Sequence, residues 1–95
     1  MTWKLWLDER KALSGYIGCA SVSEAIRFVK VLGLPAEMDL DHDLGNQETA
    51  MDFLKWLVKE FPFGPIPEYK IHSQNPIGRK NIESFMDSWK KSISN

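Results

Sequence analysis

The chain has 95 residues, enough for one domain with a single modest core and too few for two. A net charge of -1 excludes a global basic field for long nucleic acid, and 43% hydrophobic content with four tryptophans points to a packed globule. One cysteine, Cys19, excludes an internal disulfide framework; no apolar run reaches the roughly 18–20 residues that span a bilayer, and MTWKLWLDER lacks a signal-peptide layout, so a cytoplasmic protein with no membrane partner is expected.

Trp3–Leu7 is short and apolar and runs into Asp8-Glu9-Arg10, which reads as a strand with charge at its carboxyl end. Residues 11–15 form a polar connection with a turn at Ser14-Gly15, too short for a full helix. Tyr16–Ala20 is a second strand, in which Cys19 is read as buried packing. Ser21 and Glu24 fit a capping box, and Val22, Ala25, Ile26, Val29 and Leu32 then recur at helical spacing up to Gly33 and Pro35. Ala36–Asp41 is the third strand.

Gly45-Asn46-Gln47 reads as a turn, with Asn46 as the cap of a helix whose stripe is Ala50, Phe53, Leu54, Leu57, Val58 and Phe61. Trp56 falls off that stripe and is expected to be partly exposed. Residues 62–67 (PFGPIP) predict a stiff loop with polyproline character. Tyr69–His72 is a fourth strand. Asn75 as N-cap and Pro76 at the first helical position open a last helix with the stripe Ile82, Phe85, Met86, Trp89 and Ile93. Lys90 and Lys91 suit the negative end of that helix.

The order β-β-α-β-α-β-α predicts one α/β domain over residues 1–95, with a mostly parallel four-stranded sheet covered on both faces. Right-handed crossovers put the first strand between the second and third, giving the order 2-1-3-4. Ligands of such sheets bind outside the carboxyl ends of the strands. Three polar clusters fall at three of these ends: Asp8-Glu9-Arg10, Asp41-His42-Asp43 and His72-Ser73-Gln74-Asn75.

His42 and His72 are the only side chains with ordinary pKa values near neutrality, and as an acid and base pair they would transfer protons at a phosphate ester. Asp41 and Asp43 would orient a histidine. Asp8, Glu9 and Asp41 are candidate ligands for Mg²⁺. Arg10 and Arg79 are candidate phosphate binders. Residues 76–81, with Gly78, Arg79 and Asn81, form a candidate phosphate cradle at a helix N-terminus. Gln74 and Asn75 offer amide edges to a base or ribose. Asp39, in mid-strand, needs a partner such as Lys or Arg.

Leu7-Asp8-Glu9-Arg10, Leu40-Asp41-His42-Asp43-Leu44-Gly45 and His72-Ser73-Gln74-Asn75-Pro76, with Gly78 and Asn81, resemble the cyclic-phosphate-processing receiver-like family, a divergent offshoot of response-regulator receivers. The resemblance spans almost the whole chain. It implies a small three-layer, flavodoxin-like sandwich that lacks the fifth strand and helix of a receiver. It puts Asp8 and Glu9 in the acidic metal corner, Asp41 at the phosphoacceptor position and Ser73 near the hydroxyl residue of the fourth strand. The family pattern has two aspartates where this chain has Asp8-Glu9, and the receiver's fifth-strand lysine is missing, which argues against phosphotransfer signalling.

The expected function is binding and hydrolysis of a cyclic phosphate, either a cyclic nucleotide signal or a 2′,3′-cyclic RNA end. The alternatives are a non-catalytic protein that sequesters a cyclic nucleotide, as small phage proteins do against host defence, and a receiver-derived protein–protein adaptor. A homo-oligomer is a further expectation, since a second subunit would complete a shallow pocket.

Overall fold

A computed structural model describes residues 2–45 and 47–94. The elements run β1 (Lys4–Leu7), β2 (Ile17–Cys19), α1 (Val22–Leu32), β3 (Glu37–Leu40), α2 (Ala50–Glu60), β4 (Glu68–Ile71) and α3 (Pro76–Ser94). The four strands form one sheet in the order β2-β1-β3-β4, and every pairing is parallel. This is the expected order and a small receiver-like α/β fold.

The helices form where the sequence predicts and end for local reasons. Ser21 Oγ accepts the Glu24 N–H at 3.2 Å, which supplies the Ser21 half of the capping box. Gly33 stops α1 with φ 84°, a conformation glycine adopts without a Cβ clash. α2 is capped by Thr49, whose N–H donates to the Asp52 carboxylate at 3.0 Å. Asn46, the expected cap, lies outside the described residues. Asn75 caps α3 as expected: its Oδ1 accepts the N–H groups of Ile77 and Gly78, both at 3.1 Å. Residues 61–67 turn on Gly64, whose φ of 74° interrupts the expected polyproline character.

Alternation along the strands sorts the sheet into two unlike faces. Leu5, Leu7, Cys19, Met38 and Leu40 are buried on one face, against Ala25 and Val29 of α1, Phe53, Leu54 and Leu57 of α2, and Ile82, Met86 and Trp89 of α3. Burial of each large side chain here is worth about 1.5–3 kcal/mol. The other face carries Lys4, Trp6, Glu37, Asp39 and Lys70, with Trp6 in register with Gly18 and Asp39, and Asp39 with Lys70.

The expected helical cover on both faces is found on one face only. The connections β2-α1-β3 and β3-α2-β4 step across the sheet in the same direction, so right-handed crossovers put their helices on one side. α3 stays on that side by packing against α2. The one step in the opposite direction, β1 to β2, is residues 8–16 and contains no helix. That segment lies over Trp6 and Gly18: the Trp6 Nε1–H donates to the Arg10 carbonyl at 3.3 Å, and Tyr16 meets the indole edge-on at 5.9 Å. The third layer of the sandwich is therefore a loop. Among the described residues, no helix is long and apolar enough to cross a membrane.

Candidate active site at the carboxyl rim

Because all four strands are parallel, their carboxyl ends share one rim. β1, β2 and β3 are one or two residues shorter than predicted and β4 starts and ends one residue earlier, but the backbone ladder continues past them. Asp8 N–H donates to the Cys19 carbonyl, Asp41 N–H to that of Leu7 and His72 N–H to that of Leu40, each at 3.0 Å. This continuation holds Asp8, Asp41 and His72 side by side, with one donor atom from each within 4.8 Å of the others.

Asp8 is the hub, at 4% exposure. Its Oδ2 accepts from Arg10 Nη2 at 2.9 Å and Nε at 3.1 Å, and meets His72 Nε2 at 2.8 Å. Its Oδ1 accepts the Arg10 backbone N–H at 2.9 Å. Burial pushes the Asp8 carboxyl up, but the hydrogen bonds from Arg10 and His72 outweigh it and hold the group below the ordinary 3.8. The same hydrogen bond raises the Arg10 guanidinium above its usual value.

His72 bridges two carboxylates. Its Nε2 faces Asp8, and its Nδ1 faces Asp39 Oδ1 at 2.5 Å. Ionised carboxylates only accept, so the arrangement is satisfied when both ring nitrogens carry protons. Asp39 therefore has a histidine as partner, in place of the expected Lys or Arg. Lys70, its neighbour in register, is exposed. The His72 ring also lies flat on Trp6, with centroids 4.4 Å apart and planes at 10°.

His42 belongs to a separate cluster on the helical side. Its Nδ1 faces Asp43 Oδ1 at 3.0 Å, and Asp43 Oδ2 accepts from Asn75 Nδ2 at 3.1 Å. The His42 hydrogen bond, then that of Asn75, lowers the Asp43 carboxyl. Ser73, buried, accepts the Asn75 N–H on Oγ at 3.1 Å and so braces the cap. The His42 ring, 9% exposed, rests on Gly78: a Cβ there would lie 2.4 Å from His42 Cγ. The close approach that Gly78 permits is thus made by His42, where a phosphate was expected. Among the described residues no hydrogen bond joins the two histidines.

The remaining candidates stand further apart. Arg79 Nη1 donates to the Ile71 carbonyl at 2.8 Å at the mouth of β4. Gln74 and Asn81 are exposed. Glu9, read as a metal ligand, is exposed and folds over Gly45, outside the Asp8–Asp41–His72 group. It lines a groove of about 480 Å³ with Ala20, Ser21, Gly45 and Glu48. Cys19 is buried as expected, and burial pushes its thiol up to about 12, which makes it inert.

Two contributors escape a reading by sequence clusters. Trp6 looks like core in WKLWL, and Asp39 looks like a mid-strand anomaly. The period-two pattern holds the signal for both: Trp6 shares a face with Lys4 and Asp8, and Asp39 with Glu37 and Asp41.

A family model described as the cyclic-phosphate processing receiver domain matches residues 3–88. No curated protein and no solved structure shows a significant match.

Proposed function

We propose that this chain, which belongs to the cyclic-phosphate processing receiver domain family, binds a cyclic phosphate at the rim and hydrolyses it to a phosphomonoester. The observation that carries the reading is the contrast between the two histidines. His42 gives Nδ1 to Asp43, which fixes the tautomer that leaves Nε2 with a lone pair. His72 sets both nitrogens against carboxylates, an arrangement that two N–H groups would satisfy.

In this reading His42 Nε2 takes a proton from water as the water oxygen bonds to phosphorus. The bond from phosphorus to one ring oxygen breaks, and His72 turns its Nε2–H from Asp8 to supply the proton that this oxygen needs. Solvent then returns a proton to His72 and removes one from His42. Arg10 stays on Asp8 throughout and keeps that carboxylate ionised when His72 gives up its proton. Among the described residues Arg10 Nη1 makes no hydrogen bond, so it is proposed to hold a phosphate oxygen. Arg79, Gln74, Asn75 and Asn81 are proposed to form the wall around the ligand, with Ser73 bracing the Asn75 cap and Gly78 seating His42 behind it.

Asp8 and Asp41 are two carboxylates at one rim, the donor set a hard cation takes. They would hold Mg²⁺, which would supply positive charge against the phosphate oxygens. His72 does not join them while its Nε2 carries a proton.

A second reading has support of its own. The double clamp holds the His72 ring rigidly between two carboxylates, which suits tight binding of an intact cyclic nucleotide without proton transfer. Incubation with 3′,5′-cyclic and 2′,3′-cyclic mononucleotides and cyclic dinucleotides, read by chromatography, separates the two. Cleaved product that disappears in His42→Ala and in His72→Ala supports the hydrolase. Intact ligand recovered after denaturation supports sequestration, and neither result rejects both readings. Repeating the assay with EDTA tests the metal.

A further inference from the structure

We infer that Trp6 is a positioning residue of this site, whose indole sets the ring of His72 and the backbone of Arg10 against the same carboxylate, Asp8. The inference deepens the proposed function and rests on it for its catalytic consequence, but its geometric content stands alone.

The starting point is a deficiency in how His72 is held. Hydrogen bonds from its two nitrogens to Asp8 and Asp39 fix the line joining those nitrogens. Small coupled rotations about its two side-chain torsions remain, and these carry each N–H out of its acceptor's plane. A flat surface against one ring face removes this freedom. Trp6 supplies it, at 4.4 Å between centroids and 10° between planes.

The edge of the same indole does a second task. Its Nε1–H donates to the Arg10 carbonyl at 3.3 Å. That bond fixes the start of the return segment, from which the Arg10 guanidinium folds back onto Asp8 Oδ2 at 2.9 Å. The guanidinium and the imidazole that meet on Asp8 are thus both referred to one rigid side chain. Tyr16 abuts the indole at 5.9 Å and 68°, and its hydroxyl is tied to Glu37 at 3.1 Å, which limits movement of the indole.

Two alternatives for Trp6 fit less well. It is 8% exposed, so it offers no open platform to a ligand. It also lies outside the main apolar cluster, which contains Trp3, Leu5 and Leu7 of the same segment, so filling that core is not its task.

The test compares Trp6→Phe, which keeps a ring face and loses the N–H, with Trp6→Leu, which loses both. The first readout is the NMR spectrum of the ligand-free protein. The carbon-bound ring protons of His72, assigned by their loss in His72→Gln, are expected upfield of a free imidazole because they lie over the indole. The shift is kept in Trp6→Phe and lost in Trp6→Leu. The second readout is turnover of 2′,3′-cyclic AMP. Trp6→Leu lowers kcat by about tenfold, the upper range for a lost aromatic pair, with KM nearly unchanged, and Trp6→Phe restores most of the loss. Absence of the upfield shift in the wild type overturns the inference, whether or not Trp6→Leu folds. So does a folded Trp6→Leu protein with wild-type His72 signals or wild-type kcat. If the wild type turns over no cyclic phosphate while the shifts behave as stated, the hydrolytic reading fails and the positioning geometry stands.

Discussion

Gly78→Ala is the sharpest single perturbation of the site. A Cβ at position 78 would lie 2.4 Å from His42 Cγ and 2.7 Å from its Cβ and Nδ1, where ordinary contact begins at 3.4 Å. The ring must retreat by about 1 Å, and its root atoms can do so only if the backbone at His42 moves with them. The His42 backbone is itself tied, since its carbonyl accepts the Ala50 N–H at 2.9 Å. Three terms set the outcome. Alanine favours the helix over glycine by at most about 1 kcal/mol. Overpacking costs roughly 1–3 kcal/mol. Loss of the His42–Asp43 hydrogen bond costs roughly another 1 kcal/mol. The net expectation is destabilisation by about 1–3 kcal/mol in urea titration, with turnover of 2′,3′-cyclic AMP lower by about 100-fold, as misplacement of a catalytic group by 1 Å can cause. Gly45→Ala is the control. Its Cβ would meet Glu9 Oε1 at 2.0 Å, but that atom is the free end of an exposed, flexible side chain, so stability should hold within about 0.5 kcal/mol. A Gly78→Ala protein with wild-type stability, His42 signals and turnover would refute the account of how His42 is seated.

Asn75→Ala removes the cap of α3 and the hydrogen bond to Asp43 together, so a loss of about 1–2 kcal/mol in thermal or urea unfolding is expected, with Asn75→Asp restoring the cap and not the Asp43 contact. The lowered Asp8 carboxyl contributes stability that is fully present above the unfolded value of 3.8 and is lost as pH falls through the lower folded value; the acid limb of an unfolding curve should therefore shift to higher pH in Arg10→Ala. The Cys19 thiol, buried and pushed up to about 12, should resist Ellman's reagent at pH 8 in the folded protein and react fully once the chain is unfolded in urea.

The fold was legible because its determinants are local and periodic. The stripe of α2 from Ala50 to Leu57, the Ser21 cap and the Asn75-Pro76 start each encode their element within a few residues. The strand order followed from crossover handedness. The number of helical layers also depends on the direction of each step across the sheet, and the one step in the opposite direction, β1 to β2, is too short to carry a helix. Within the site, the three rim clusters were visible because charge is concentrated there. Which groups pair was not visible: Asp39 and His72 are 33 positions apart, and Asp8 and His72 are 64 apart. The role of Gly78 was also hidden, since a glycine at a helix start suits a phosphate or a ring equally well until the neighbouring side chain is placed.

The sheet order distributes mechanical security unevenly around the rim. β1 has a hydrogen-bonded neighbour on each side, so detaching it breaks two ladders at once, whereas β4 is an edge strand joined to β3 alone. Local opening free energies follow such differences. Asp8 and Arg10 leave a strand held on both sides, and His72 leaves an edge strand. Slow amide exchange should thus mark the carboxylate side and faster exchange the histidine side. A transient lift of β4 would carry His72 away while Asp8 and Arg10 stay in place, so the site has a fixed jaw and a movable one.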